Sequence, residues 1–460
     1  MQTLWQDLRF GARTMVKKLG FIWIVLLALS TAAQNLTPQF DEYFDALVTQ
    51  NGFNGAVLVA REGKIVYAKG AGWARVELNL PNTPQTRFRI GSITKQFTAA
   101  AILLLQERGK LSVGDPVCKF FNDCPRAWQK ITLHHLLTHT SGLPDYTDLP
   151  DYDAKMALPE TNESLIARFK KLPLEFKPGS RHAYSNSGYI LLGVIIEKLS
   201  GESYENFLRR NIFAPLAMHD TGVDRNEVAS TNRAAGYALK DRRLVNAAYQ
   251  EMTQAGAAGV LYSTVEDLCR WNEGLFGGRL LQPKSLAAMT TAWAEDYGYG
   301  LVIQTDFHRK HFSHGGRISG FYNDMEYFPD DRVTVIVLRN IYDSNPPPRS
   351  VAFDLAAIVL GEKYEVPRSH VEVKVDPKLL DRYVGRYELK PGDLITIGRS
   401  KTGLTFQRTG QSAFELFAEA ETLFFPKVVE AQITFVKDDQ GRVTGLRLKR
   451  GAEQWAKKVK

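Results

Sequence analysis

Apolar positions recur along this chain with two different periods, and the change from one to the other marks out its elements. Residues 54–70 (Asn-Gly-Ala-Val-Leu-Val-Ala-Arg-Glu-Gly-Lys-Ile-Val-Tyr-Ala-Lys-Gly) read as two strands joined by a Glu-Gly turn, the β-hairpin pattern. In residues 94–108 the apolar Phe97, Ala100, Ala101, Leu104 and Leu105 fall at helical spacing, which predicts a helix opening at Ser92. Residues 165–169, 188–199 and 265–275 read as further helices. From His311 the pattern returns to strands, with 323–328 and 332–339 flanking the turn Pro329-Asp330-Asp331, and 352–360 closes the region as a helix. The order strands, helices, strands, helix predicts a sheet with helices around it, an α/β domain, rather than a repeating β-α-β barrel.

Residues 361–378 are charged, lack an apolar pattern and contain Pro367 and Pro377, which reads as a linker. Beyond it, alternating runs such as Leu394-Ile395-Thr396-Ile397, Thr422-Leu423-Phe424-Phe425 and Gln432-Ile433-Thr434-Phe435-Val436 are separated by turns such as Asp438-Asp439-Gln440-Gly441. They predict a small antiparallel β domain over 379–460. The expected division is 1–33, 34–362, a linker 363–378, and 379–460.

The first segment has its own pattern. The run 21–33 holds about 13 apolar or small residues, where a membrane-spanning helix needs roughly 20. Lys17 and Lys18 precede it and Ser30-Thr31-Ala32-Ala33 end it, the order of a secretory signal peptide; a buried core helix is the alternative. Met15 alone begins such a signal, so the true start is expected there, although residues 1–9 are similar to the amino end of bacterial transporter permeases. The expected location is periplasmic or secreted, with no stable membrane span after cleavage.

Composition then narrows the classes. In 460 residues, 44% hydrophobic and 23% charged with 3 Cys, there is ample material for a core and no sign of a disordered chain. The formal charge of +8 comes from 58 Lys and Arg against 50 Asp and Glu, spread without a basic block. Loss of residues 1–33 removes four cations and one anion and leaves +5, so no nucleic-acid partner is expected. Export permits disulfides, and Cys118 and Cys124, in a hydrophilic turn-like stretch, are expected to pair and leave Cys269 free; three free thiols are the alternative.

No G-x-S-x-G or H-E-x-x-H occurs. His134, His135 and His139 lack an acidic or Cys partner at ligand spacing, so helix-end packing or capping is expected rather than a metal, and no cofactor is implied. Chemistry is better sought in Gly91-Ser92-Ile93-Thr94-Lys95. Three residues apart at a helix start, Ser92 and Lys95 share a face, and a desolvated Lys can lose its proton near neutrality and act as base. A Ser N-cap with a solvated Lys is the competing reading. Tyr184-Ser185-Asn186 supplies a loop Tyr to carry protons, if cations lower its pKa, and an amide to orient substrate and Lys. A second Y-x-N, Tyr204-Glu205-Asn206, falls in an apparent surface helix and is taken as incidental. His314-Gly315-Gly316 ends a strand-like segment, where small residues let a substrate backbone lie against a strand edge and the N–H after them bind an oxyanion. Lys401-Thr402-Gly403 competes for this role, but reads as a hairpin turn in the β tail.

Taken in order, these elements resemble the penicillin-recognising serine hydrolases: class C β-lactamases, D,D-carboxypeptidases, D-aminopeptidases and related esterases. Thr132-Leu-His-His-Leu-Leu-Thr-His-Thr-Ser-Gly-Leu-Pro144, Pro178-Gly-Ser-Arg-His-Ala-Tyr-Ser-Asn-Ser-Gly-Tyr189 and Ser313-His-Gly-Gly-Arg-Ile-Ser-Gly-Phe321 support the likeness, which covers about residues 38–360. The tail from Tyr383-Val-Gly-Arg-Tyr387 is similar to lipocalin-like domains of some relatives. The resemblance implies a β-lactamase/transpeptidase-like fold, an antiparallel sheet flanked by helices with a helical lobe, and a small-molecule or peptide substrate. It implies that Ser92 attacks a carbonyl, Lys95 and Tyr184 exchange protons, the N–H groups of Ser92 and Arg317 hold the oxyanion, Asn186 positions substrate, and His314 stands where β-lactamases have Lys. A His there is largely neutral above pH 7, so little or no β-lactamase turnover is expected. The alternative function is an inactive penicillin-binding-like protein that keeps the pocket without turnover.

Overall fold

The computed structural model describes residues 35–240, 243–342, 345–368, 372–400, 403–426, 431–450 and 452–459; the apolar run 21–33 and Lys401-Thr402 lie outside the described residues. Helix α1 (Thr37–Asn51) precedes the hairpin of β1 (Gly55–Arg61) and β2 (Lys64–Ala71). The helix expected at Ser92 is α2 (Thr94–Glu107), and Ser92 itself sits in a 3-10 turn, Gly91–Ile93, just before it. Helices Asn162–Lys170, α3 (Asn186–Ser200) and α4 (Val265–Phe276) follow where periodicity places them. Strands β3 (Val302–Asp306), β4 (Arg309–Ile318), β5 (Phe321–Phe328) and β6 (Val333–Arg339) and helix α5 (Pro348–Leu360) complete this part.

The sheet order is β3-β4-β5-β6-β1-β2, antiparallel throughout, so β6 closes against β1 from the other end of the sequence, with Gly55 opposite Arg339. Side chains alternate across it. Val57, Val59, Val333, Val335 and Val337 pack on one face under α1 and α5. Ala56, Leu58, Ala60, Ile336 and Leu338 pack on the other with α2, α3 and α4. Both faces are covered, which is why β6 is buried at every position. Each such Val or Leu contributes roughly 1.5–3 kcal/mol relative to exposure. Helix α2 is buried from Thr94 to Leu105, as expected of a helix apolar on nearly every side.

Cys118 and Cys124 form the expected disulfide, with Cα atoms 5.2 Å apart, and Cys269 is a buried free thiol. The tail is a closed antiparallel barrel of eight strands, from Gly385–Lys390 to Ala452–Lys458. Its first and last strands pair through Tyr387 and Lys458, which leaves no sheet edge open at the closure. Tyr383 stacks on Phe435 at 4.1 Å, and Tyr387, Ile395, Leu446 and Ala456 fill the interior. The predicted turn at Asp438 forms, its carboxylate accepting from the backbone N–H groups of Gln440 and Arg442. Among the described residues no helix is long and apolar enough to cross a membrane.

Candidate active site

Ser92 is held by two backbones in contact. Gly91 has φ +52°, and a Cβ there would lie 2.9 Å from the Arg317 nitrogen. A Cβ on Gly316 would lie 1.9 Å from the Ile90 carbonyl oxygen, so the third motif's second glycine is required by packing inside the protein. Asn323, opposite Gly316 in the sheet, ties the segment before Ser92 to it: its amide donates to the Arg89 carbonyl at 2.9 Å while its oxygen accepts from the Arg339 N–H at 3.1 Å. The Ser92 and Arg317 segments are thereby placed side by side.

Lys95, one turn on, is completely buried and makes three hydrogen bonds, to Ser92 Oγ at 3.2 Å, Asn186 Oδ1 at 2.8 Å and the Ala258 carbonyl at 2.9 Å. The solvated-Lys alternative is thus excluded, and Ser92 makes no side-chain cap. Burial brings the ammonium down to about pKa 7, while the Asp145 charge acts in the opposite direction. The neutral amine is therefore accessible near pH 7.

Tyr184 lies beside this pair, its ring centroid 4.7 Å from Lys95 Nζ. The residue is 40% exposed, yet burial at its phenol end pushes its pKa up and hydrogen bonding to Ser92 pulls it only partly back. The sequence-based expectation that cations lower this pKa is not met, since the neighbouring amine has itself lost most of its preference for charge. His139, buried with φ +55°, packs against the Tyr184 ring with centroids 4.2 Å apart and accepts the Ser185 N–H on Nδ1 at 3.1 Å. His135 Nδ1 accepts from the Thr132 N–H in a capping box, so these histidines cap and pack as expected.

His314 is buried. Its Nδ1 is 2.6 Å from the Gly315 carbonyl and its Nε2 2.9 Å from the Tyr297 hydroxyl. A carbonyl only accepts, which puts the proton on Nδ1 and makes Tyr297 the donor to Nε2. Burial, with Lys95 nearby, lowers its pKa to about 4, so the imidazole is neutral at pH 7. Among the described residues, the register of β3 with β4 runs from Arg309 to Ser313 and stops before His314. Gly315 is exposed there.

A cavity of about 460 Å³ opens over Ser92, Asn186 and Arg317, walled by Tyr146, Tyr152 and Tyr342. The Arg317 guanidinium lies 4.2 Å over the Tyr342 ring and 5.0 Å over Tyr322. Lys95, Tyr184, His314 and Gly316 are not among the residues that line this cavity. Tyr204 is elsewhere: contrary to the surface-helix expectation it is buried, its hydroxyl 2.7 Å from Thr98 Oγ1. Gly403 belongs to a barrel turn, its N–H bonded to Ser400 Oγ. Sequence reasoning missed Asp145, Ala258 and Tyr297, whose roles come from long-range contacts; the Pro144-Asp145 loop was the one local signal.

A serine bonded to a buried lysine on a helix-flanked antiparallel sheet defines a serine hydrolase of the β-lactamase and penicillin-binding-protein class. The chain belongs to the β-lactamase family: the model described as Beta-lactamase matches residues 40–360, and one described as a domain of unknown function (DUF3471) matches 369–458. Penicillin-binding protein 4* of Bacillus subtilis (strain 168) is 29% identical over 454 residues, 93% of this chain and 100% of that protein. Among solved structures, the octameric penicillin-binding protein homologue from Pyrococcus abyssi is 29% identical with TM-score 0.65, covering 93% of this chain and 100% of that one. The D-amino acid amidase from Ochrobactrum anthropi SV3 complexed with D-phenylalanine is 25% identical with TM-score 0.60, covering 70% and 96%.

Proposed function

We propose that this protein is an exported hydrolase that cleaves amides, peptides or esters of the D-amino-acid type through an acyl-enzyme on Ser92. The observation that carries the reading is the buried Lys95 amine, 3.2 Å from Ser92 Oγ with a pKa near 7. Neutral Lys95 takes the Ser92 proton as Oγ bonds to the substrate carbonyl carbon. The carbonyl electron pair moves to oxygen, which the N–H groups of Ser92 and Arg317 receive. Collapse breaks the bond to the amine or alkoxide, which leaves with the proton from Lys95, relayed by protonated Tyr184. Water then attacks the acyl carbon, its proton goes to the same base and returns to Ser92, and the acid is released.

The β4 segment that follows the β3 register runs beside Ser92 and is positioned to receive an extended substrate, with Asn186 and the three tyrosines lining the cavity. A neutral His314 gives no fixed cation where β-lactamases present Lys, so β-lactam turnover is expected to be weak or absent. The short apolar run with its basic flank, and the Cys118–Cys124 disulfide, support export. Within this reading residues 34–362 form the hydrolase and 379–460 a separate β domain.

The test is a panel of D- and L-phenylalanine amides, short D,D-peptides, p-nitrophenyl esters and nitrocefin. Hydrolysis of D-amides or esters, lost in Ser92→Ala by a factor of about 10³ or more, is the expected result. Nitrocefin as the best substrate, or turnover retained in Ser92→Ala, overturns it.

A further inference from the structure

The site holds a buried carboxylate that the scheme above does not use. Asp145 is 8% exposed and fully engaged: Oδ1 accepts the Thr147 N–H at 3.0 Å, and Oδ2 accepts both the backbone N–H of Asn186 at 3.0 Å and its amide Nδ2 at 2.8 Å. The loop that carries it is fastened to the same helix. Ser187 Oγ donates to the Pro144 carbonyl at 2.7 Å and accepts the Tyr146 N–H at 3.0 Å. Thr147 Oγ1 adds a second acceptor for Asn186 Nδ2 at 3.3 Å.

We propose that Asp145 is a positioning residue for the base, fixing through Asn186 which end of an amide faces Lys95 and placing a negative charge one side chain behind it. An amide can present oxygen or NH₂ with almost the same shape. Turned over, Asn186 would aim its NH₂ at the Lys95 amine and its oxygen at a carboxylate, two repulsive contacts in place of two bonds. With Asp145 in place Oδ1 faces Nζ, as observed at 2.8 Å. The carboxylate also raises the Lys95 pKa against the lowering by burial. Without it, the amine would be neutral at lower pH and a weaker base.

The other groups facing Lys95 leave this effect readable. Tyr184 and Tyr189 present rings at 4.7 Å and 5.4 Å from Nζ, and burial pushes both phenols upward. His139 and His314 are both lowered by burial, the latter to about 4. Of Lys95 and these four neighbours, only Lys95 has a pKa brought to about 7.

This inference rests on Lys95 being the base for Ser92. The experiment is the second-order rate of labelling by a fluorophosphonate between pH 5 and 9 on the full chain, with circular dichroism as the check of folding. Wild type is expected to gain rate through a midpoint near the Lys95 value of about 7. In Asp145→Asn, which keeps an acceptor but not the charge, the midpoint moves down by about 0.5 unit or more. Asp145→Glu, which keeps the charge, moves it less than Asp145→Asn does, and Asp145→Ser reads the same downward shift if the Asn variant does not fold. A midpoint unchanged in both neutral variants overturns the role of Asp145 and leaves the base intact. Absence of the limb in wild type overturns the base assignment, and this inference with it.

Discussion

At the scale of single residues, the site's chemistry follows from removing water around one amine. Burial alone would strip Lys95 of its charge, and the three hydrogen bonds to Ser92, Asn186 and Ala258 hold the neutral amine where it can accept a proton. A group with pKa near 7 is protonated below it, so activity should rise with pH through about 7 and fall on acidification. Lys95→Arg keeps a cation of similar reach that never deprotonates near neutrality. It should lower kcat by about 10²–10⁴ at every pH from 6 to 9, which steady-state assays with an ester substrate would show. His314 makes a contrasting case. Neutral across this range, it should add no limb near 6.5, and His314→Gln, which can still accept from Tyr297, should leave the pH midpoint in place.

At the scale of elements, close backbone approach does what side chains do elsewhere. Gly316→Ala would press a methyl into the Ile90 carbonyl and part the two segments that carry the Ser92 and Arg317 N–H groups. A loss of about 1–3 kcal/mol in urea unfolding, with a larger proportional loss of activity, is expected. The sequence made most elements legible, because helix α2 and strands β5 and β6 carry strong local patterns. It also singled out Ser92, Lys95, Tyr184 and Asn186, which the fold brings together. It did not show that β1 pairs with β6, since the two strands lie far apart in the chain and their register leaves no local trace. Nor did it disclose that Gly316 serves packing, that Tyr184 would be pushed up in pKa, or that Asp145 bonds Asn186. Each depends on what another segment brings to the same place. The small hairpin of Tyr237–Lys240 and Arg243–Asn246 escaped for a simpler reason: its runs are too short for a period to register.

At the scale of the whole molecule, the two β-rich parts have separate cores. Residues such as Phe435, Tyr383 and Leu446 form a cluster of their own, distinct from those on either face of the six-stranded sheet. Phe435→Ala should therefore cost about 3–5 kcal/mol in the barrel while leaving fluorophosphonate labelling of Ser92 unchanged, read by hydrogen exchange and labelling on one sample. The disulfide is a smaller contribution: closing the short loop between Cys118 and Cys124 is worth about 2 kcal/mol in the chain-entropy model. The central claim is covalent chemistry on Ser92, and mass spectrometry of the protein quenched during turnover of a D-phenylalanine p-nitrophenyl ester tests it most directly. The account predicts an added phenylalanyl mass that maps to the peptide containing Ser92 and disappears in Ser92→Ala. Turnover of that ester with Ser92 unmodified, or the same adduct on the Ser92→Ala protein, would contradict it.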